Sequence, residues 1–385
     1  GKFKSHIEIG KDSLKLFKYS NALEHFEKAL KLDKNSHEAL KGKFDSLLGQ
    51  GNHYLKTNNP EEALTCFNLA LKINTNSKEA LEGKKSSQLL MGQLLLNTHE
   101  FLKALNFFEK VLKIEPQHPE ALNGIITSSN YIGLDFLEKG EYENSLNYFN
   151  KVLKFEPYHQ DAIQGKLQSL TELTKLKYQN SDYNGALQTC EDAIIIKTSQ
   201  NLEYCKFKIL CKLEKYDKAE PIIDKLIESK PNDSMLLCEK GHFLTLTGKI
   251  SEANKFFNLA LSYDSTNLKC WLCKGKTLIA QGKLDLSLIV FDNALKHHPR
   301  SANLWIAKGE TYFKLNENGN ALECFTHALK YDHGNETATY FENKLKQIID
   351  VKSDENLVDV NLSPEDKIAS LPGFTTILAK KVIKI

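Results

Sequence analysis

Residues 101–124, FLKALNFFEKVLKIEPQHPEALNG, carry the pattern that decides the fold. Ala104, Phe108 and Val111 stand at i, i+4 and i+7, which puts all three on one face of a helix. The small side chain lets a neighbouring helix approach, and the ring fills the space beside it. Pro116 closes the segment, and Glu120-Ala121-Leu122-Asn123-Gly124 opens the next.

Working outward, the same triplet recurs as Ala22/Phe26/Ala29, Ala63/Phe67/Ala70, Ser145/Phe149/Val152 and Ala186/Cys190/Ala193. It continues as Ala219/Ile223/Leu226, Ala253/Phe257/Ala260, Ser287/Phe291/Ala294 and Ala321/Phe325/Ala328. Each copy predicts a buried second helix, preceded by a first helix such as the one holding Trp271, Gly275 and Leu278. Turns such as Lys139-Gly140-Glu141 and Thr247-Gly248-Lys249 join the two, glycine supplying the left-handed residue that ends a helix.

The copies come in two spacings. From Ala22 to Ala186 they stand 41 residues apart, and from Ala219 onward 34 apart. The seven additional residues amount to two helical turns. They begin at a second repeating element, seen in Glu38-Ala39-Leu40-Lys41-Gly42, Glu79-Ala80-Leu81-Glu82-Gly83 and Asp161-Ala162-Ile163-Gln164-Gly165. The first helices of repeats two to five are therefore expected to be two turns longer.

The series of Trp, Gly, aromatic, Ala, Phe, Ala and a closing Pro (Pro116, Pro157, Pro231, Pro299) resembles the tetratricopeptide repeat family over roughly residues 3–335. The resemblance implies an all-α, right-handed superhelical solenoid of about nine helix-turn-helix repeats. The expected organisation is five repeats at the longer spacing over residues 1–199, four at the shorter over 200–335, and a capping helix over 336–350. A linker over 351–361 and a helical hairpin over 362–385 complete it.

In that family, first helices line a concave face into which repeat positions 2, 5, 9 and 12 point. Carried over, position 5 includes Leu48, Leu89 and Tyr204, and position 9 gives Asn52, Gln93, Lys175, Lys208, His242, Lys276 and Glu310. Position 12 gives Leu55, Leu96, Leu137, Tyr178 and Phe313. These residues describe a mainly apolar trough suited to a partner's helix or extended peptide. The other reading of the leucines is that the added turns bury them between helices. Gly51-Asn52 and Tyr54-Leu55-Lys56 are similar to the clamp by which some relatives hold chaperone tails, but Leu48 stands where that clamp has lysine.

Asn361 to Ile385, with Leu371-Pro372-Gly373-Phe374-Thr375 at its turn, resembles the helix-hairpin-helix element of the competence-protein type. The resemblance implies phosphate contact through Gly373, Thr375, Lys380 and Lys381, although Thr375 replaces the second glycine of the turn. A hairpin that packs on a protein is the other reading. The chain stops early in the second hairpin helix, as a truncated piece would. It opens at Gly1 and not Met, as removal of a leader would leave it.

Composition narrows the function classes. The 51 basic and 49 acidic residues give a formal net charge of +2, so attraction to nucleic acid or anionic lipid must be local. Arg300 is the single arginine, which argues against bidentate phosphate or carboxylate clamps. No apolar run is long enough to span a membrane. The eight cysteines read as reduced thiols of a cytoplasmic protein. Cys270 and Cys273 read first as core and second as half of a metal or redox site, since a zinc site needs two more ligands.

No catalytic constellation, cofactor motif or metal set stands out. His297-His298 beside Pro299 reads as a solvated turn. The expected function is a non-catalytic scaffold that binds another protein in the groove; a nucleic-acid adaptor acting through residues 361–385 is the alternative.

Overall fold

The computed structural model describes residues 1–356; the stretch read as a helix-hairpin-helix, including Gly373, Thr375, Lys380 and Lys381, lies outside them. All regular structure among the described residues is helical. The chain divides into two compact units, Gly1–Leu202 and Glu203–Ile385.

The first unit is built of helix pairs: α1 (Lys2–Lys15) with α2 (Tyr19–Leu32), α3 (His37–Lys56) with α4 (Pro60–Ile73), and α5 (Lys78–Asn97) with α6 (Phe101–Ile114). Then come α7 (Pro119–Glu138) with α8 (Tyr142–Phe155) and α9 (Gln160–Gln179) with α10 (Tyr183–Ile196). Each helix packs on the next, and each first helix also touches the first helix of the following pair. Helices α3, α5, α7 and α9 have 20 residues each. Their starts are fixed locally: Ser36 and Ser77 accept the backbone N–H of Ala39 and Ala80, and Pro119 occupies the first turn of α7.

The division falls inside α11 (Gln200–Lys212), which is followed by α12 (Tyr216–Ser229). In the second unit α13 (Ser234–Leu246), α15 (Leu268–Ala280) and α17 (Ala302–Lys314) have 13 residues, seven fewer than their counterparts. They pair with α14 (Ile250–Tyr263), α16 (Leu284–His297) and α18 (Asn318–Tyr331), all of 14 residues like every second helix. Finally α19 (Glu336–Asn356) packs on α18, with Ala338 and Leu345 fully buried and Phe341 stacked on Phe325 at 4.9 Å. It passes residue 350 and covers the first residues read as linker, because no Gly or Pro occurs between Gly334 and Pro364 to stop it.

The triplets occupy the positions their spacing predicts. Phe26, Phe67, Phe108, Phe149, Phe257, Phe291 and Phe325 are all buried, and the small residues beside them are sealed. Burying one such ring stabilises by roughly 1.5–3 kcal/mol.

The turns depart from the glycine expectation. Gly140, Gly248 and Gly282 have positive φ, but Phe17, Asn58, His99, Ser181, Glu214 and Asn316 adopt the same left-handed conformation at the equivalent slot. The residue there is the second after the end of the first helix, and its N–H bonds back to a carbonyl three residues earlier, as in Asn58 to Leu55 (3.2 Å) and Gly140 to Leu137 (3.1 Å). Helix packing on both sides imposes the geometry, at a cost of about 1 kcal/mol where a Cβ is present.

Candidate protein-binding face

In the first unit the leucines expected to line a trough are largely spent on packing. Leu48 belongs to the core around Phe67, and Leu55 packs half-buried against the same core. Leu89 and Leu96 lie half-buried on the core of Phe108 and Ile125, and Leu137 on that of Phe149. Tyr178 is half-buried with its ring edge-on to Tyr183 at 5.5 Å. Asn52 and Gln93 stay exposed, as do Tyr131 of α7 and Leu176 of α9.

The second unit differs. Glu239 of α13 is only 2% exposed, yet three donors from two neighbouring first helices meet its carboxylate. Tyr204 of α11 donates its hydroxyl at 2.5 Å, Lys269 of α15 donates through its amine, and Lys208 of α11 stands 3.7 Å away. Burial works to raise the Glu239 pKa, but the bonds from Lys269 and Tyr204 and the charges of both lysines outweigh it, so the carboxyl titrates below its usual range. Burial first and the bond to Glu239 second push the Tyr204 hydroxyl well up. Burial pulls the other way on Lys269, where the hydrogen bond and charge of Glu239 prevail and hold it protonated.

The lysine heads are not sealed: Lys208 and Lys269 side chains are 35% and 41% exposed. Exposed His242, one turn beyond Glu239, lies in the field of Glu239, Lys269, Lys208 and Lys212. Lys276 is exposed on α15. Phe313 goes elsewhere, packing edge-on to Phe341 of α19 at 5.4 Å beneath the Lys344 amine. The face is thus one buried anion holding two cations, with Lys212 close enough to act on His242.

Glu239 and Lys269 were not among the residues singled out from sequence. Glu239 is the sixth residue of its helix, the slot that Gly42, Gly83, Gly124 and Gly165 fill in the first unit, and that break in the pattern was the available signal. Lys269 occupies position 2 of its repeat, the one groove position for which no residue was carried over.

The cysteines form a contiguous thiol group. Cys238 hydrogen-bonds both Cys270 and Cys273; the contact with Cys270, then burial, lifts its thiol to about 12. The Cys273 thiol is pushed up further by its bond to Cys238 and by burial, and burial with Glu239 nearby takes Cys211 to about 11. These thiols stay protonated and poorly nucleophilic. Among the described residues, no group of three His, Cys, Asp or Glu is arranged to hold a metal ion, and no helix is long and apolar enough to cross a membrane.

Comparison with known proteins fits this architecture. A tetratricopeptide repeat model matches residues 44–77 and 86–118. The model described as ChAPs (Chs5p-Arf1p-binding proteins) matches residues 125–357, more than half of the chain. No curated protein matches in sequence. Solved structures similar to this chain include yeast Tom70, at 11% identity with 100% of this chain and 99% of that chain covered and a TM-score of 0.40. The Cut9–Hcn1 hetero-tetramer of the APC/C is similar at 12% identity, 98% and 95% coverage and 0.38, and the P58(IPK) TPR domain at 14%, 93% and 100%, and 0.28. The fold assignment rests on the helix pairs and the family models. Repeat arrays of this kind are protein–protein interaction scaffolds, typically without catalysis of their own. By the match over residues 125–357, the chain belongs to the ChAPs family, the Chs5p-Arf1p-binding proteins.

Proposed function

We propose that this chain is a cytoplasmic scaffold that docks a partner segment on the first-helix face of the Glu203–Ile385 unit, and that its partners are counterparts of the Chs5p and Arf1p of the family description. The observation that carries the reading is the Glu239 network. A buried carboxylate that pins Lys208 and Lys269 lowers the entropy lost when those heads engage a ligand. The net charge of the face is positive, so the segment it suits carries Asp or Glu side chains. All eight cysteines are free, which supports a reducing compartment.

Titration calorimetry with purified counterparts of Chs5p and Arf1p tests this. Lys208→Glu combined with Lys276→Glu is expected to weaken the engaged partner about tenfold or more, which is 1.4 kcal/mol or more. Asn52→Arg with Gln93→Arg, on the first unit, is expected to leave that affinity within twofold. Equal binding by wild type and the Lys208/Lys276 variant removes this face from the function, and no binding of either protein removes the proposed partners.

A further inference from the structure

Three lysines of the second unit, Lys240, Lys274 and Lys308, stand 34 residues apart, each just before the glycine of its first helix. Each reaches back to the residue after the triplet's large apolar side chain on the preceding second helix. Lys240 meets Asp224 at 2.8 Å and Glu220 at 3.1 Å, and Lys308 meets Asp292 at 2.6 Å. In the middle rung the acid is replaced: Lys274 donates to the Asn258 Oδ1 at 2.7 Å and has no carboxylate partner among the described residues. Its amine also lies 5.8 Å from the centre of the Trp271 ring, as Lys308 lies 5.5 Å from Trp305. The Lys274 and Lys308 rungs differ at the acceptor, an amide in one and a carboxylate in the other.

We propose that Lys274 is an acyl-acceptor site, whose amine takes an acyl group from an acyl thioester. The neutral Nζ attacks the thioester carbonyl carbon; a C–N bond forms, the C–S bond breaks, and the proton shed by nitrogen leaves with the thiol. Two physical differences favour this rung. Lys274 is half-buried without a counter-ion, and burial depresses its pKa, with Cys270 offsetting only part. At Lys308, burial acts in the same sense but the bond and charge of Asp292 overcome it and hold the amine protonated.

The second difference is what acylation leaves behind. Neutralising Lys240 strands Asp224, and neutralising Lys308 strands Asp292, without the cation that pairs it. Neutralising Lys274 strands nothing charged, because Asn258 is an exposed amide that water satisfies. The Lys274–Asn258 bond lies at the exposed rim of the repeat, where a thioester can reach the nitrogen.

The folded chain incubated with acetyl-coenzyme A, then digested and quantified by mass spectrometry, tests the assignment. Lys274 is expected to acetylate several-fold faster than Lys308, because burial without a carboxylate leaves more of its amine neutral while Asp292 holds Lys308 protonated. Asn258→Asp, which copies the two flanking rungs, brings Lys274 down to the rate of Lys308. Asp292→Asn raises Lys308 toward that of Lys274. Equal rates at the two lysines in the unaltered protein overturn the proposal, as does a Lys274 rate unchanged by Asn258→Asp when circular dichroism is also unchanged. No acetylation at Lys274 while exposed Lys276 reacts overturns it too.

Discussion

In the first unit the core phenylalanine of each second helix that has one is gripped by glycine from two sides; in the second unit, from one. A Cβ built on Gly51 or Gly83 falls 2.8 or 2.2 Å from the Phe67 ring, and Gly92 with Gly124, and Gly133 with Gly165, do the same to Phe108 and Phe149. In the second unit only the first of each pair persists, Gly241 on Phe257, Gly275 on Phe291 and Gly309 on Phe325. The slot of the second glycine, the sixth residue of the first helix, holds Glu239, Cys273 and Ala307 instead. The lesson is that a slot committed to close helix approach carries no chemistry, whereas the same slot freed of that duty holds the buried carboxylate that organises the candidate face.

The largest effect on this contrast is expected from Phe67→Ala, which empties the doubly gripped site and costs about 3–5 kcal/mol. Urea unfolding followed by far-ultraviolet circular dichroism measures it, and a loss under 1 kcal/mol breaks the account of the first unit.

Next comes Glu239→Gln, which leaves Lys269 and Lys208 without their anion and is expected to cost roughly 1.5–3 kcal/mol near neutral pH. Because folding lowers the Glu239 pKa, its contribution is full above the unfolded carboxyl value of about 4.3 and is lost as pH falls through the lower folded value. The gap between wild type and Glu239→Gln therefore closes in acid. A gap that does not shrink as pH falls below about 4.3 contradicts the network.

A smaller, sharper comparison pairs Gly83→Ala with Ala307→Gly. The new methyl at residue 83 must displace the Phe67 ring, costing about 1–3 kcal/mol. The reverse change at the matching slot loses roughly 1 kcal/mol of helix propensity. If Gly83→Ala raises the unfolding midpoint, the two-sided grip is not what fixes helix approach there. The smallest effect is expected from Asn258→Asp, a restored but rim-exposed ion pair with Lys274 worth about 0.2–1 kcal/mol, visible as a slightly higher melting temperature.

The comparison also explains what could be read beforehand. The small–large–small triplets and the change of spacing from 41 to 34 gave the helix pairs and their core rings, because each triplet lies within eight consecutive residues and the spacing needs only a count between copies. The trough was less legible. Leu48, Leu55, Leu89, Leu96 and Leu137 are apolar in any reading, and whether apolar means open groove or interhelical packing depends on how close the next helix comes.

In sequence Glu239 is one charge in the stretch Cys238-Glu239-Lys240, with nothing local to mark it. Only its setting between α11 and α15 makes it the centre of a site. The repeat pattern by itself determined that the chain is an all-helical array, where each described second helix buries its face, and which first helices are long. The tertiary structure decided which side chains meet: Tyr204, Lys208, Glu239 and Lys269 span 66 residues of sequence, and Lys274 finds Asn258 on a different helix. Helical periodicity is a local signal that fixes faces. Contacts across helices depend on side-chain size at the packing slots, which no single helix records.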